Sequence, residues 1–252
     1  MQLAPYISQC FDAAIWRMEI DELTDTLFIE LRNQEEKKVA FAAISLRDGS
    51  TLFNNLTTPE RWLTGIEAAY DGVLLLHFYE SDSTPRHRGL LAIEAITGKQ
   101  LWCNYAWAFD HLSARGPLVY DTRIQPGSPF LTDIRTGIAK PNITGSIFEP
   151  LESNIVVPEM ISSDMLPTGT LFEVPYGNLV HYLEYNNFRI VSLHTLDNGR
   201  LTQKLFISDC VNVVYEDLLN AAIQKIQPEA FMVHKNRLIY IKNKLELKVL
   251  TL

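Results

Sequence analysis

The chain has 252 residues, of which 47% are hydrophobic and 21% charged, and its formal net charge is -8. This composition suits a folded protein with a large core and excludes a disordered or collagen-like chain. The negative charge, with no run of Lys or Arg, argues against nucleic-acid binding. No window approaches the ~18 consecutive apolar residues of a membrane span.

The three cysteines, Cys10, Cys103 and Cys210, are odd in number and far apart in the sequence. Free, mostly buried thiols in a reducing compartment explain this pattern best. The first residues contain no basic side chain before Arg17 and no long apolar stretch, so they do not resemble a secretory signal. We therefore expect a cytoplasmic protein, or a periplasmic one if an export signal has been removed.

Strand patterns begin at Ile15, where apolar and polar residues alternate with the period of a half-buried strand. The first predicted unit has strands at 15–21, 26–32, 39–46 and 51–53. The second unit has strands at 65–70, 72–79, 90–96 and 100–105, with a polar loop at 80–88. Four strands in about forty residues are the content of one propeller blade.

The pattern weakens in the third unit, where 116–120 and 129–134 are the recognisable strands. Residues 138–170 contain several prolines and glycines and predict an irregular insertion or a degenerate blade. Regular alternation returns in the fourth unit, at 177–184, 188–193 and 201–207, and three last strands follow at 230–234, 237–241 and 245–250.

A different spacing lies between the fourth unit and the last strands. Apolar residues at steps of three and four predict one short amphipathic helix near 214–227, which ends before Pro228. A strand over 211–215 remains an alternative, because Val211, Val213 and Tyr215 also alternate.

Four tight turns carry a glycine, at Gly49, Gly98, Gly137 and Gly199. Their irregular spacing argues against a solenoid, whereas a propeller accepts insertions in its loops. The last unit is one strand short, and residues 4–11 lie outside the first unit. We therefore predict an all-β fold, a single β-propeller domain over 1–252. Its N-terminal strand closes the last blade, and it has five blades, or six if 138–170 contains one.

The segment Leu91–Trp102 resembles the repeat of quinoprotein-like propellers. The positions that match are Glu94, Thr97, Gly98, Lys99, Leu101 and Trp102. In that family the tryptophan packs between neighbouring blades, so the resemblance implies a structural role for Trp102. The whole chain is also similar to an uncharacterised family of bacterial proteins, known mostly from Bacteroidetes, and this resemblance implies no activity.

No catalytic or metal-binding motif is recognisable. The chain lacks a Gly-x-Ser-x-Gly elbow and a glycine-rich phosphate loop. The six histidines have no helical ligand spacing, and His77, His181 and His194 fit strand patterns. A quinone-dependent dehydrogenase is disfavoured, because such enzymes usually have more blades, a calcium site and adjacent cysteines. We therefore predict no catalytic residue, no metal and no other cofactor.

Three segments between predicted strands are candidates for binding a ligand or partner, because loops at the ends of a propeller commonly do so. They combine Arg, Trp and His, residue types that bind anions and form interaction hot spots. The candidate residues are Arg61, Trp62, Arg86, His87, Arg88, Trp107, His111 and Arg115. The alternative is that the tryptophans pack between blades and the arginines are simply solvated.

The sequence does not determine the function, and two hypotheses from different classes remain. The first is a non-catalytic binding or scaffolding propeller whose partner is a protein or a small acidic ligand. The second is a hydrolase or lyase that acts on sugars or lactones at the mouth of the propeller channel, because distant carboxylates can meet in the fold. An exported assembly factor is a third reading. The oligomeric state is left open.

Overall fold

The computed structural model describes residues 2–124, 126–141, 148–209 and 212–252. Strands dominate these residues, and the helical segments among them are two single 3-10 turns, η1 (Ser163–Met165) and η2 (Tyr176–Asn178). The first strand is β1 (Pro5–Cys10). The structure divides into two compact units, one formed by residues 13–153 and the other by residues 1–12 with 154–252.

The unit formed by residues 13–153 contains three antiparallel sheets whose strands follow one another in the chain. The first sheet consists of β2 (Ala14–Asp21), β3 (Thr26–Asn33), β4 (Lys38–Ser45) and β5 (Thr51–Leu56). The second consists of β6 (Thr64–Tyr70), β7 (Val73–Ser81), β8 (Thr84–Glu94) and β9 (Gln100–Asn104). The third consists of β10 (Trp107–Ser113), β11 (Gly116–Asp121) and β12 (Phe130–Leu131).

The second and third sheets are joined through Trp102, as the repeat resemblance implied. Its indole Nε1 donates a hydrogen bond of 2.7 Å to the carbonyl oxygen of Ile134. Gly137, with a φ of 66°, leaves no room for a Cβ, which would lie 2.7 Å from the Trp102 ring. The turn glycine therefore does two things: it adopts a left-handed conformation, and it lets the indole approach the backbone.

The other unit contains two sheets. One consists of β14 (Glu159–Ser162), β15 (Leu179–Tyr185), β16 (Phe188–Asp197), β17 (Arg200–Ser208) and β18 (Val213–Ile223), in that order. The other has the order β1, β21 (Glu246–Thr251), β20 (Arg237–Lys242), β19 (Met232–His234) and β13 (Ile155–Val156). The alternating apolar residues of these strands supply a core that includes Ile190, Leu205, Val233 and Leu238, all 0% exposed.

The N-terminal strand completes the last sheet. β1 pairs with β21 in antiparallel register, with Gln9 opposite Leu247 and Ser8 opposite Lys248. The apolar residues Leu3, Ile7 and Phe11 are buried. Five sheets, built mainly from sequential antiparallel strands, give an all-β fold, and the predicted all-β class is confirmed. The number of sheets equals the number of blades predicted, and their strand order fits blades.

The predicted helix near 214–227 is wrong. Residues 213–223 form β18, which pairs with β17 through three register shifts. Each bulge inserts an extra residue and reverses the alternation of inward and outward side chains. A strand that is interrupted in this way can show apolar residues at steps of three and four. The start of the alternative strand, Val211, lies outside the described residues.

Two predicted loops are strands. The polar segment 80–88 belongs largely to β7 and β8, whose pairing extends to Ser81 and Thr84, and the segment 107–113 forms β10. The first segment is polar because nearly every residue at the end of the hairpin is exposed, so its composition indicated a loop. In the described part of 138–170, β13 and β14 extend the edges of two different sheets, and residues 142–147 lie outside the description.

Candidate functional site

A cavity of about 790 Å³ lies beside the β7–β8 hairpin in the unit formed by residues 13–153. Its lining comes from that hairpin, from β10, from the ends of β9 and β11, and from the segment after β11. The lining residues are Glu80, Arg86, His87, Arg88, Tyr105, Asp110, Tyr120, Thr122, Ile124, Pro126, Gly127 and Pro129. The predicted cluster 86–88 therefore lies at a concave surface.

The arginines reach the cavity because β8 is a strand and not a loop. Arg86 and Arg88 are two residues apart, so they project on the same side of the strand. Arg86 Nη1 lies 3.9 Å from Glu80 Oε2, a long contact between exposed groups that contributes little. Over the residues that the structure describes, no ion pair engages Arg88. Its guanidinium is available to an anion.

The facing side of the cavity is polar and aromatic. The Tyr105 ring is 74% exposed, and its inner face stacks on Phe78 with a centroid distance of 5.4 Å. Asp110 Oδ2 lies 2.6 Å from His111 Nδ1, and Tyr120 adds a second phenol to the lining. Guanidinium groups, carboxylates and phenols together can bind a ligand that is both charged and rich in hydroxyl groups.

His87 also belongs to a second group of polar side chains, the histidine–carboxylate cluster of Glu67, His77 and His87. Glu67 Oε2 accepts a hydrogen bond of 3.0 Å from His87 Nδ1. His77 Nδ1 lies 3.1 Å from the same oxygen. The two imidazole rings are stacked, with centroids 3.5 Å apart and planes within 7° of parallel. One carboxylate oxygen thus faces two imidazoles.

Burial sets the protonation of this cluster. His77 is 1% exposed, and burial lowers its pKa below the ordinary value despite the opposing effect of Glu67. Burial also acts to raise the pKa of Glu67, but the two imidazoles beside its carboxylate, those of His77 and His87, outweigh this effect and hold the pKa below its usual value. At neutral pH the cluster therefore holds a carboxylate and a neutral buried imidazole.

A buried arginine adjoins this cluster. Arg32 Nε donates to Glu30 Oε1 at 2.6 Å, and Arg32 Nη2 donates to the Thr64 carbonyl oxygen at 2.9 Å. Its guanidinium lies 4.9 Å from the Trp62 ring centroid and 5.9 Å from that of Tyr79. The predicted site residue Trp62 therefore covers a buried ion pair, which is a structural contact.

The remaining predicted site residues lie elsewhere. Trp107 packs against Trp102 and Phe130 in a core cluster. Arg61 is exposed, and its carbonyl oxygen accepts a hydrogen bond from the Val39 amide. Arg115 is exposed and stands 6.0 Å from the Phe148 ring. His111, which pairs with Asp110, is next to the cavity lining but does not belong to it.

Sequence reasoning missed Glu67, Tyr105, Asp110 and Tyr120, and it interpreted His77 as an ordinary strand residue. The pairing of the two histidines could not be found from a regular hairpin. A hairpin that turns at Asp82 and Ser83 would place Tyr79 opposite Arg86, whereas the observed register shift between Tyr79 and Ser81 places Tyr79 opposite His87. His77, two residues from Tyr79, thereby becomes a diagonal neighbour of His87 on the same face.

Comparisons with known proteins show little beyond this geometry. Residues 20–102 match a family described as Domain of unknown function (DUF4905). No curated protein matches the chain. No helix in the described part of the chain has the length and apolar character that crossing a lipid bilayer requires.

Two solved structures are similar to the chain over 98% of its length. One is a bifunctional GH43-CE protein from Bacteroides eggerthii, with a TM-score of 0.33 and 11% identity. The other is a GH43_1 enzyme from Xanthomonas citri complexed with xylose, with a TM-score of 0.32 and 12% identity. The chain spans 34% of the first and 89% of the second. Neither likeness transfers an activity to this chain.

Proposed function

We propose that the protein is a binding module that holds a small, hydroxyl-rich anion in the cavity beside the β7–β8 hairpin. The observation that supports this proposal most directly is Arg88, an exposed guanidinium that lines the cavity and lacks a counter-ion among the described residues. On a chain with a net charge of -8, an unpaired arginine at a concave surface marks a place where an anion is favoured.

The size and lining of the cavity support a small ligand over a protein partner. A volume of about 790 Å³ lies within the range of roughly 300–1,000 Å³ that is usual for small-molecule sites. Arginine binds carboxylate or phosphate oxygens through two parallel hydrogen bonds. Glu80 and Asp110 can accept hydrogen bonds from hydroxyl groups, and the exposed Tyr105 ring offers a face for an apolar edge of the ligand.

Isothermal titration calorimetry with glucose 6-phosphate, glucuronate and glucose tests the proposal. We expect at least one of the two anions to bind and neutral glucose to bind at least tenfold more weakly. Arg88→Ala should weaken anion binding by about ten- to a hundredfold, because a hydrogen bond to a charged group contributes about 1.5–3 kcal/mol. Arg47→Ala is the matched control, since Arg47 is 63% exposed and does not line the cavity.

Equal binding of glucose and the anions, or an Arg88→Ala protein that binds as the wild type does, would contradict an anion site. Binding of neither anion would also count against it. Phosphate and carboxylate probes together separate the two sources of negative charge, because a site built for one should prefer it.

The second candidate function, hydrolysis of a sugar, is favoured by the presence of both Glu80 and Asp110 in the cavity lining. Glycoside hydrolysis uses two carboxyl groups, one as acid and one as base or nucleophile. A panel of p-nitrophenyl glycosides tests it. If there is turnover, Asp110→Asn should abolish it and Asp48→Asn, a change at an exposed turn, should not. If none of the glycosides is hydrolysed, the hydrolase function is contradicted and the binding function is unaffected.

We also propose that the chain occupies a reducing compartment such as the cytoplasm. Cys10 is exposed and Cys103 half-buried, and both are free thiols, which supports a compartment without disulfide formation. Three sequence-based statements stay predictions. They are the relationship of Leu91–Trp102 to quinoprotein-like repeats, membership of a bacterial family known mostly from Bacteroidetes, and a single domain over 1–252.

A further inference from the structure

The histidine–carboxylate cluster of Glu67, His77 and His87 brings three metal-ligand groups together. Their potential donor atoms all lie within 4.8 Å of one another. Glu67 Oε2 is 3.0 Å from His87 Nδ1 and 3.1 Å from His77 Nδ1. Donors bound to one tetrahedral zinc ion at 2.0–2.1 Å are about 3.3 Å apart. The two separations from the carboxylate oxygen are therefore close to those of a filled site, and the third pair of donors lies within 4.8 Å.

The backbone of β6 shapes this cluster through a bulge and a glycine. The register of β6 against β7 shifts between Ile66 and Ala68, so Glu67 is the extra residue of a bulge. Bulges re-aim side chains and are frequent at functional sites. Gly65 lies opposite His77, and a Cβ there would come within 3.0 Å of two atoms of the His77 ring. The missing side chain makes room for the imidazole.

His77 is buried without a hydrogen bond of its own. Both Nδ1 and Nε2 lack a partner with hydrogen-bond geometry, although Nδ1 is 3.1 Å from Glu67 Oε2. An unsatisfied buried polar atom destabilises a fold by about 1–3 kcal/mol. A metal ion would accept the lone pair of one ring nitrogen of a neutral imidazole and satisfy that atom.

We propose that Glu67, His77 and His87 bind one zinc ion. Two imidazole nitrogens and one carboxylate oxygen are a donor set that zinc accepts, whereas calcium and magnesium prefer oxygen ligands. Three protein ligands leave one position of a tetrahedral ion for water or an exogenous ligand. His87, which is 35% exposed, is the solvent-facing ligand. Binding requires the parallel rings to tilt, because their in-plane lone pairs must converge.

This proposal departs from the sequence-based expectation of no metal, and it does not depend on the anion proposal. The reason for the difference is that the ligands come from β6, β7 and β8. Their spacing along the chain has no helical period, and the cluster exists only through strand pairing and a bulge.

Zinc titration of the untagged, chelator-treated protein tests the site, with competition against a fluorescent zinc chelator as the readout. We expect one zinc ion per chain with a dissociation constant in the micromolar range or below. His87→Gln and Glu67→Gln should each weaken binding at least tenfold. His111→Gln is the matched control, since His111 also lies beside a carboxylate, at 2.6 Å, but in a pair and not a group of three.

Substitution with cobalt gives a second readout, because a four-coordinate cobalt ion absorbs visible light much more strongly than the octahedral hydrated ion. That absorption should be lost in His87→Gln, whose folding is checked by circular dichroism. His87 is partly exposed, so this variant should fold. A dissociation constant above 100 µM for zinc and the wild type would overturn the proposal. Unchanged zinc binding by a folded double variant, His87→Gln with Glu67→Gln, would also overturn it.

Discussion

Two buried histidines in the unit formed by residues 1–12 and 154–252 have protonation states set by their neighbours. His194 is 2% exposed, and its Nε2 accepts a hydrogen bond of 3.0 Å from the Gln227 amide. His181 Nε2 donates to the Pro228 carbonyl oxygen at 3.0 Å. Burial, followed by the nearby His181, lowers the pKa of His194 to about 4. The accepted hydrogen bond requires the same neutral ring.

Acid should therefore destabilise the fold through His194. The unfolded chain binds a proton near pH 6.5, and the folded chain only near pH 4, so the free energy of unfolding falls as the pH drops between these values. The loss is of order 3 kcal/mol for this one group. In His194→Gln, where an amide oxygen can still accept from Gln227, urea unfolding at pH 7, 5.5 and 4 should show a flatter pH dependence.

His111→Gln provides the comparison, because it removes a histidine whose side chain is 42% exposed and not buried. The free energy of unfolding of His194→Gln should depend less steeply on pH than that of His111→Gln. If the free energy of unfolding depended on pH in the same way for wild type and His194→Gln, the prediction would be wrong. His194 would then bind its proton equally readily in the folded and unfolded states.

At the scale of elements, β18 shows how bulges alter a sequence pattern. The strand buries Val214 and Leu219, whereas Leu218 is 36% exposed. Between these residues the register against β17 changes, with Lys204 opposite Leu218 and Gln203 opposite Asn220. In a helix, Leu218 and Leu219 would both lie on the apolar face. In the strand they point to opposite sides of the sheet.

The two leucines provide a matched test of this strand. Leu219→Ala should lower the free energy of unfolding by about 2–5 kcal/mol, because it removes a buried side chain from the core cluster around Val233 and Phe231. Leu218→Ala should cost less than about 1 kcal/mol, as expected for a largely surface position. Chemical denaturation measures both. Equal losses would contradict the strand and support the helical interpretation.

At the scale of the whole molecule, the sheet that contains the last strands depends on the first. β1 supplies an edge strand to β21, and Leu3, Ile7 and Phe11 bury their side chains there. Ser8 and Glu246 add a hydrogen bond of 3.0 Å between the two strands. Without β1, the long edge of β21 would be exposed to pairing with other chains.

Removal of residues 1–11 should destabilise the protein by several kcal/mol, since each large apolar side chain that is exposed costs about 1.5–3 kcal/mol. Thermal unfolding followed by circular dichroism measures the loss, and light scattering should detect aggregation through the free edge. A shorter deletion of residues 1–2 is the control, because Gln2 is exposed. A melting temperature that is unchanged by the longer deletion would rule out a structural role for β1.

The predictable part of the fold came from signals that are local. Alternation of apolar and polar residues identified strands such as β3 and β16, because burial of one face acts at every second residue. Glycines at the predicted turns adopt positive φ, from 65° at Gly98 to 76° at Gly49 and Gly199, a conformation that disfavours other side chains. Arg86 and Arg88 are exposed, but they belong to strand β8 and not to the predicted loop.

The sequence by itself determined that this chain forms short antiparallel sheets with glycine turns and that its first strand completes the last sheet. Only the tertiary structure decided which side chains meet: those around the cavity at Arg88, the cluster of Glu67, His77 and His87, and the packing contacts of Trp62 and Trp107. The physical reason is that these contacts depend on strand register and on bulges such as the one at Glu67. A bulge adds one residue without changing the composition of the strand, and its effect appears across the sheet and not along the chain.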